Sequence, residues 1–301
     1  MEKQSIDIGI TAYNEEENIE NILNSILAQK FDDGIKVNSI LVVASGCTDR
    51  TEELVLKKAN KYPSIKLISE KIRRGKASAI NLVFKHSKAE IIVFVGADEL
   101  VPNNSINELV KPFKNKEVGA VSGHPVALND EKQFVGYASC IVWRLHDLYS
   151  TNYDTKLSGE LFAVRSNIIK QIPLVNCDDA MIEVMVVKKG YKIAYAKNAK
   201  VYIMGPQTVN DFINQRKRVL VGHMQIKKLI GHTMQTMSFA VNLKLIFLYI
   251  KERGILKHLP RVIFSLILEA LAQIFAFLSS FRGKYETVWK RIGSAKFLKK
   301  A

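Results

Sequence analysis

Residues 90–95, EIIVFV, followed by Gly96-Ala97-Asp98, are the stretch that decides the fold class of this chain. Apolar residues follow one another here without alternation, which is typical of a strand covered on both faces. Strands of this kind belong to mainly parallel sheets with helices on either side. The aspartate comes directly after the strand, so we expect it at the carboxyl edge of such a sheet.

Three strand–helix pairs precede this strand. We predict strands at residues 5–11, 39–43 and 65–69, and helices over residues 18–29, 51–61 and 77–85. This alternation predicts an α/β fold with a mainly parallel, doubly wound sheet and right-handed crossovers. Ligands bind such sheets outside the carboxyl ends of the strands. The loops at those ends are rich in polar, charged and glycine residues, which favours a nucleotide site.

The second half of the chain is less regular. We predict strands near residues 119–122, 160–165, 193–195 and 200–203, and helices near 135–149 and 179–189. The composition changes near Gly205-Pro206, and the residues after Asp211 have a helical and basic pattern. The sequence therefore predicts a domain of residues 1–225 and a helical C-terminal region of residues 226–301.

The net charge of +15 is unevenly distributed. Residues 201–301 hold 17 Lys and Arg against 4 Asp and Glu, whereas residues 1–200 are close to neutral. A basic region of this kind favours an anionic partner, such as nucleic acid, a membrane surface or a phosphorylated substrate. Binding of single-stranded nucleic acid would predict aromatic residues among the basic ones. Here Leu, Ile and Phe are interleaved instead, which indicates an anionic membrane surface and no nucleic acid.

The three cysteines, Cys47, Cys140 and Cys177, are scattered and show neither a disulfide framework nor a zinc pattern. We expect them to be reduced thiols in the cytosol. The N-terminus has a polar lead and then a strand pattern, so we expect the body of the protein not to be exported.

Seven ordered motifs resemble those of the family-2 inverting glycosyltransferases with the GT-A fold, over roughly residues 6–225. The last of them resembles the QxxRW motif of membrane-associated polysaccharide synthases. In chain order the motifs are Thr11-Ala12-Tyr13-Asn14-Glu15, Ser45-Gly46-Cys47-Thr48-Asp49, Arg74-Gly75-Lys76, Gly96-Ala97-Asp98, Ser158-Gly159-Glu160, Asp178-Asp179 and Gln215-Arg216-Lys217-Arg218-Val219.

The resemblance implies transfer of a hexose from a UDP- or GDP-linked sugar, with Mg²⁺ or Mn²⁺ as cofactor. It implies Asp179 as catalytic base, Asp98 as metal ligand, and Gly159, Glu160 and Asp178 on the acceptor side. The implied donor-binding residues are Thr11, Ala12, Tyr13, Glu15, Ser45, Gly75, Lys76, Ala97, Asp98, Gln215 and Arg218. The implied acceptor is lipid-linked or membrane-proximal, such as a polyprenyl phosphate or a lipid-linked saccharide, in polysaccharide or glycolipid biosynthesis.

Three positions depart from the family pattern. Gly96 stands where the DxD metal motif has its first aspartate, so any contact from that carboxylate is absent. Val219 replaces the tryptophan of QxxRW, which removes an aromatic platform and argues against a processive synthase. Ala44 stands where many relatives have Asp, so base or ribose recognition is expected to fall to Ser45 and the backbone.

For the acidic candidates, stabilisation of a helix N-terminus is the alternative to a role as metal ligand or base. Mg²⁺ and Mn²⁺ suit carboxylate and phosphate oxygens, which favours Asp98 as a ligand, but aspartate after a strand also caps helices. The side chain of Glu99 is expected to point away. Repulsion between adjacent carboxylates raises proton affinity, which suits a base in the pair Asp178-Asp179. Acids in a first helical turn also stabilise the helix, and that is the alternative for this pair.

The other candidates also have plainer alternatives. Gln215 and Arg218 lie three residues apart on one helix face, where they can hold a diphosphate, but a solvated basic helix has the same pattern. Lys76 could be a surface lysine and Glu160 an ordinary strand-end residue. Arg216 and Lys217 are expected to face solvent or lipid phosphates. His124 and His223 are weak candidates for a third metal ligand.

Residues 262–281 form a 20-residue apolar run with one charge, Glu269. Its length suffices to span a membrane. A glutamate in mid-membrane costs about 2.5–3.5 kcal/mol or needs a partner, and basic residues flank both ends. We therefore expect interfacial or re-entrant helices at the cytoplasmic face of the cell membrane, in a peripheral or monotopic protein. A helical subdomain packed on the catalytic domain and a single spanning helix remain alternatives.

Two other function classes remain open at this point. A sugar-nucleotide nucleotidyltransferase also uses a parallel sheet and a metal, but it would need a glycine- and arginine-rich signature after the first strand. A non-enzymatic, basic membrane-binding module would account for the C-terminal region without using the seven motifs.

Overall fold

The computed structural model describes residues 4–231, 239–281, 288–289 and 292–295. These residues form a sheet of seven strands. The strands are β1 (Gln4–Ala12), β2 (Ile35–Ser45), β3 (Ile65–Glu70), β4 (Ile91–Gly96), β5 (Val118–Ala127), β6 (Leu161–Arg165) and β7 (Lys192–Ile203).

The sheet has the strand order β3-β2-β1-β4-β6-β5-β7. All neighbouring pairs are parallel except those of β6, which runs antiparallel to both β4 and β5. The predicted α/β class and the doubly wound, mainly parallel sheet are thus confirmed. The two closing strands predicted at residues 193–195 and 200–203 were wrong as separate elements. They belong to one strand, because β7 keeps its pairing with β5 through register shifts.

Helices cover both faces of the sheet. Those between the strands are α1 (Ile19–Leu27), α2 (Thr51–Lys61), α3 (Lys76–His86), α4 (Ser105–Val110), α5 (Phe134–Asn152) and α6 (Asp178–Lys188). The remaining long helices are α7 (Val209–Ile230), α8 (Phe239–Arg253) and α9 (Ile255–Phe281). Helix α7 runs without a break through the predicted domain boundary at residue 225, and the division into two domains stays a prediction.

The alternation of side chains in the strands produces two apolar cores. On one face, Ile8 and Ile10 of β1 belong to a cluster with Ile22 of α1 and Val55 of α2. On the other face, β2, β4 and β6 belong to a cluster with α3 and α6. Strand β4 is buried along its whole length, as its unbroken apolar sequence predicts. The polar residue groups are therefore left to the strand ends.

Helix α9 packs on α5 and α7 through one of its faces. Leu268 packs with Phe212 of α7, and Ala272 and Ala276 pack with Leu220. Glu269 accepts hydrogen bonds from Arg216, with Nε–Oε2 and Nη2–Oε1 distances of 2.7 and 3.0 Å. The expectation that Arg216 faces solvent or lipid phosphates was wrong, because this carboxylate binds it. The partner that Glu269 needs is therefore a residue of α7.

The opposite face of α9 is apolar and open. Ile263, Ile267, Ile274, Phe277 and Leu278 are each 49–55% exposed. On α8, Leu243 and Phe247 are exposed as well. Within the described part of the chain, His258–Ser280 is long and apolar enough to cross a membrane by length and composition, with a mean hydropathy of 2.1. One face of α9 therefore packs on α5 and α7, and the opposite face is apolar and exposed to solvent.

The Arg216–Glu269 pair should stabilise the docking of α9. Burial raises the pKa of Glu269, but the charge and hydrogen bonds of Arg216 outweigh burial, so the net pKa lies below the usual value. We expect Glu269→Gln to lower the free energy of unfolding by about 2 kcal/mol at neutral pH, measured by denaturant unfolding. The contribution should be lost as the pH falls through the lowered pKa of the folded state.

The pair formed by Arg253 and Glu131 is the matched control. It also has two hydrogen bonds, but its side chains are 40% and 38% exposed, against 22% and 25% for Arg216 and Glu269. Glu131→Gln should therefore cost less than about 1 kcal/mol. Equal losses for the two variants would contradict the stabilising role of the Arg216–Glu269 pair.

Candidate active site

A cavity of about 240 Å³ opens at the carboxyl ends of β1, β2 and β4. The beginning of α3 and the middle of α7 complete its wall. Most of the predicted site residues line it, namely Thr11, Ala12, Tyr13, Glu15, Ser45, Gly75, Lys76, Asp98, Glu160, Gln215 and Arg218. Residues from six separate motifs thus meet at one place, while their individual roles stay predictions.

Four predicted site residues do not line the cavity. Ala97 is buried beneath it and belongs to an apolar cluster. Gly159, Asp178 and Asp179 lie beside it, since Lys76 donates a hydrogen bond of 2.7 Å to the carbonyl of Gly159. The Nζ of Lys76 also lies 3.9 Å from Oδ2 of Asp178.

The first two loops are joined by hydrogen bonds. Asn14 has a positive φ of 52°. Its side-chain amide donates a hydrogen bond to the hydroxyl of Thr48, and its side-chain oxygen accepts one from the backbone N–H of Thr48. The backbone amide of Glu15 donates a hydrogen bond of 2.8 Å to the hydroxyl of Thr51. Ser45 donates its hydroxyl hydrogen bond to Glu70. These contacts fix the backbone around the ring of Tyr13.

Arg73 is a cavity residue that we did not select from the sequence. Its guanidinium carbon lies 3.7 Å from the centre of the Tyr13 ring, which is stacking distance. It also donates a 2.8 Å hydrogen bond to the carbonyl of Trp289. The pair of arginines before Gly75 was the available sequence signal.

Part of the C-terminal region also reaches the cavity. Ile292 and Ala295 line it, and Ser294 binds Asp211 at the start of α7. From its basic and apolar pattern, we expected this region to lie on the membrane side as a whole. No motif in the sequence of residues 288–295 indicated a contact with the cavity loops, because the contacts use the backbone carbonyl of Trp289 and the small side chain of Ser294.

Lys76 is the cation at the centre of a group of carboxylates. Burial would lower the pKa of Lys76, but Asp178, Glu160, Glu99 and Asp179 outweigh burial and raise it. The ammonium group is therefore charged at neutral pH. Gly75 permits this placement, because its φ of 95° turns the chain into α3 just before the lysine.

The carboxylate of Asp178 is buried beside that lysine. Burial raises the pKa of Asp178, and the nearby Asp179 raises it further, while Lys76 opposes both. Neither aspartate is the N-cap of α6. Cys177 occupies that position, and its side chain makes no capping hydrogen bond. An ideal Cβ at Gly159 would lie 3.3 Å from Oδ2 of Asp179, so glycine lets this carboxylate approach closely.

Glu99 points into the cavity, so the expectation that its side chain points away was wrong. Burial raises the pKa of Glu99 well above its usual value, and the neighbouring Glu160 and Asp98 raise it further. Asp98 does not cap a helix, because α4 begins at Ser105 with Asn104 as its N-cap. The reason for the error is that residues 97–104 form no helix, so helical geometry does not direct Glu99 outward.

Helix α7 presents Gln215 and Arg218 to the cavity from one face. The Nε of Arg218 is buried, and no described residue accepts a hydrogen bond from it. Val219 packs into the core against the sheet. Besides Tyr13, a second aromatic residue lines the cavity, Trp143 of α5, which we did not select because its helix has the periodicity of a core helix.

The two histidines considered as metal ligands lie elsewhere. His124 lies 4.0 Å from Asp147 and binds the carbonyl of Lys197, and His223 is buried in α7. Among the described residues, no group of three or more His, Cys, Asp or Glu side chains is arranged to hold a metal by itself.

Comparisons with known proteins agree on the family. The model "Glycosyl transferase family 2" matches residues 7–171, and "Glycosyl transferase family group 2" matches residues 91–285. The poly-beta-1,6-N-acetyl-D-glucosamine synthase of Staphylococcus aureus (strain COL) is 26% identical over 251 residues, which are 79% of this chain and 59% of that protein. The synthase of Staphylococcus epidermidis is 24% identical over 233 residues, covering 74% and 55%. The chain thus spans a little more than half the length of these curated relatives.

Solved structures share the fold. A mannosyltransferase from Pyrobaculum calidifontis in complex with GDP-Man and Mn²⁺ has a TM-score of 0.61 at 22% identity, covering 94% of this chain and 80% of that one. Glucosyl-3-phosphoglycerate synthase from Mycobacterium tuberculosis, with Mn²⁺, UDP and its product, has a TM-score of 0.54 at 18% identity, covering 77% and 82%. Since a family model matches more than half of the chain, the protein belongs to glycosyltransferase family 2, with the GT-A fold.

Proposed function

We propose that this glycosyltransferase moves a hexose, with inversion, from a UDP- or GDP-linked sugar to a lipid-linked or membrane-proximal acceptor. The observation that carries the proposal is the single cavity in which Asp98, Glu99 and Glu160 face Lys76 and Arg218. Mixed charges of this kind suit a diphosphate together with a divalent cation. The solved relatives hold GDP-Man or UDP with Mn²⁺, which supports a donor of this class.

A divalent cation fits the acidic side of the cavity. Both carboxylate oxygens of Glu99 are buried without a hydrogen-bond donor among the described residues, and Lys76 is the nearby cation that faces Glu99, Glu160 and Asp178 together. Asp98 would hold Mg²⁺ or Mn²⁺, with further ligands from the diphosphate and water. When bound, the ion would neutralise charge on the leaving diphosphate.

Cations of the chain would hold the other side of the leaving group. Lys76 at the start of α3 and Arg218 on α7 line the cavity from different elements. As the bond between the anomeric carbon and the diphosphate breaks, negative charge grows on the diphosphate oxygens. Fixed cations stabilise that charge more than they stabilise the intact donor.

Asp179 would act as the base. Its carboxylate adjoins Gly159, whose carbonyl binds Lys76 at the cavity edge. An acceptor hydroxyl between Asp179 and the donor would give its proton to this carboxylate while its oxygen attacks the anomeric carbon. Single displacement inverts the configuration there. Glu160 and Asp178 are the nearby groups that would orient the acceptor.

The uncovered face of α8 and α9 supports attachment to an anionic membrane at the cytoplasmic face, as a peripheral or monotopic protein. Apolar side chains such as Phe247 and Ile274 are exposed there, within a region rich in Lys and Arg. The Arg216–Glu269 pair holds the other face of α9 on α7. This favours a helix lying at the interface over one that spans the bilayer.

A donor screen tests the proposed function as a whole. The protein is incubated with membrane extract, Mg²⁺ or Mn²⁺, and a panel of UDP- and GDP-linked hexoses carrying a labelled sugar. We expect transfer of label from one donor class into the lipid-extractable fraction. If neither class is bound, hydrolysed or used at millimolar concentration with either metal, the proposal fails.

Replacing the proposed base separates chemistry from donor binding. We expect Asp179→Asn to reduce sugar transfer by at least about 100-fold, because a positioned base contributes 10²- to 10⁴-fold. Donor affinity, measured by calorimetry, should change little. Asp33→Asn, at an exposed loop, is the control that should retain wild-type activity. An active Asp179→Asn variant would remove the base assignment.

Charge placed on the apolar face of α9 should weaken membrane binding. We expect Ile274→Glu to lower binding to phosphatidylglycerol-containing vesicles by about 10-fold or more, because burying an isoleucine side chain is worth about 1.5–3 kcal/mol. Leu56→Glu is the matched control, since Leu56 is 51% exposed and Ile274 55% exposed, but Leu56 lies on α2. Sedimentation with vesicles at low salt measures both. Equal binding by the two variants would contradict the proposed membrane face.

A further inference from the structure

The glycine at position 96 leaves a space that the carboxylate of Glu99 fills. An ideal Cβ at Gly96 would lie 2.5 Å from Oε1 of Glu99 and 3.2 Å from Oδ1 of Asp98. At the first distance a Cβ and this carboxylate oxygen could not both keep their places, so any side chain at position 96 would displace the end of the Glu99 side chain. The φ of Gly96 lies outside the left-handed region, so the turn itself does not require glycine. The absent Cβ therefore leaves the room that the Glu99 carboxylate occupies.

The surroundings of Glu99 suit a bound cation better than a structural hydrogen bond. The residue is 3% exposed, and neither carboxylate oxygen has a donor among the described residues when Glu160 is ionised; the Glu160 carboxyl is the neighbour close enough to share a proton with Glu99. Its neighbours include the carboxyl groups of Glu160 and Asp98. Lys76 is near but donates to the carbonyl of Gly159. Burying a carboxylate without a hydrogen-bond donor costs free energy, so a bound cation would stabilise this arrangement.

Position 96 is where the family pattern has a carboxylate and this chain has none. A carboxylate from residue 99 nevertheless reaches the space beside Asp98. Oxygen ligands of this type are those that Mg²⁺ and Mn²⁺ prefer. We propose that Glu99 and Asp98 together hold the divalent cation, with Glu99 taking over the place of the missing aspartate.

This inference rests on the proposed function, because it assumes the metal-dependent donor site. It adds a second protein ligand and gives the space at Gly96 a use. The competing account is a carboxyl pair in which Glu99 and Glu160 share a proton and bind no metal. That account predicts that the cation affinity does not depend on Glu99.

Moving the carboxylate back to position 96 tests the proposal. Binding of Mn²⁺ is measured by electron paramagnetic resonance of the free ion, with the metal alone and with UDP or GDP, so that no turnover is needed. Removing even an outer-shell partner of a metal ligand costs about 10- to 100-fold in affinity. We expect Glu99→Gln to weaken Mn²⁺ binding by at least about 10-fold. The double variant Gly96→Asp/Glu99→Ala should regain most of that loss.

Three controls make the result decisive. Gly96→Ala/Glu99→Ala fills the same space without a carboxylate and should not recover binding. Glu20→Gln, on the exposed side of α1, should bind as the wild type does. Thermal melting checks folding, and Glu99→Asp, which keeps the charge on a shorter side chain, should bind Mn²⁺ more tightly than Glu99→Gln.

The outcomes separate this inference from the proposed function. Wild-type affinity in Glu99→Gln, with a loss in Asp98→Asn, would overturn the role of Glu99 and leave the donor site intact. Failure of the double variant to recover binding, with its fold intact, would also count against the exchange of positions. If the wild-type protein binds neither Mn²⁺ nor a nucleoside diphosphate, both the inference and the proposed function fail.

Discussion

The hydrogen bond from Lys76 to the carbonyl of Gly159 is the contact on which the organisation of the cavity depends. It joins the start of α3 to the segment before β6, which lies at the carboxyl end of β4 because β6 is antiparallel to that strand. The same ammonium group lies 3.9 Å from Asp178 and offsets the charges of Glu99 and Glu160. Without a fixed cation at this point, four carboxylates would be crowded together with little compensation, and burial would favour their protonation.

The position of Lys76 follows from backbone conformation as much as from charge. Gly75 has a φ of 95°, which other residues rarely adopt, and it ends the preceding loop where α3 begins. Gly159 and Gly96 serve differently, because each leaves room for a carboxylate, that of Asp179 and that of Glu99. Three glycines therefore set the charge arrangement, one through its dihedral angle and two through the absent Cβ.

The fold could be predicted from the sequence because it depends on periodicity and burial, as in β4, whose six residues are all buried. The cavity loops after β1, β2, β3 and β4 were also predictable, because each follows a strand. Three contributions were not. Glu99 turns inward because no helix follows it for several residues, Trp143 belongs to a helix with core-like spacing, and Trp289 contributes a backbone carbonyl to Arg73. Each depends on tertiary geometry that local patterns do not encode.

Residues of the basic C-terminal third line the cavity, dock α9 on α7 and form an exposed apolar face. The net charge of the region does not distinguish these three roles. Arg218 enters the cavity, and Arg216, two residues earlier on the same helix, turns to Glu269 of α9. That pair lies beside Ala272 and Ala276, whose small side chains let α9 approach α7 closely. Once this polar and small-residue face is used for docking, the remaining surface of α9 is almost entirely apolar. Docking to the catalytic body therefore uses Glu269 and the two alanines and leaves Ile, Leu and Phe outside, with Gln273 as an exposed polar residue among them.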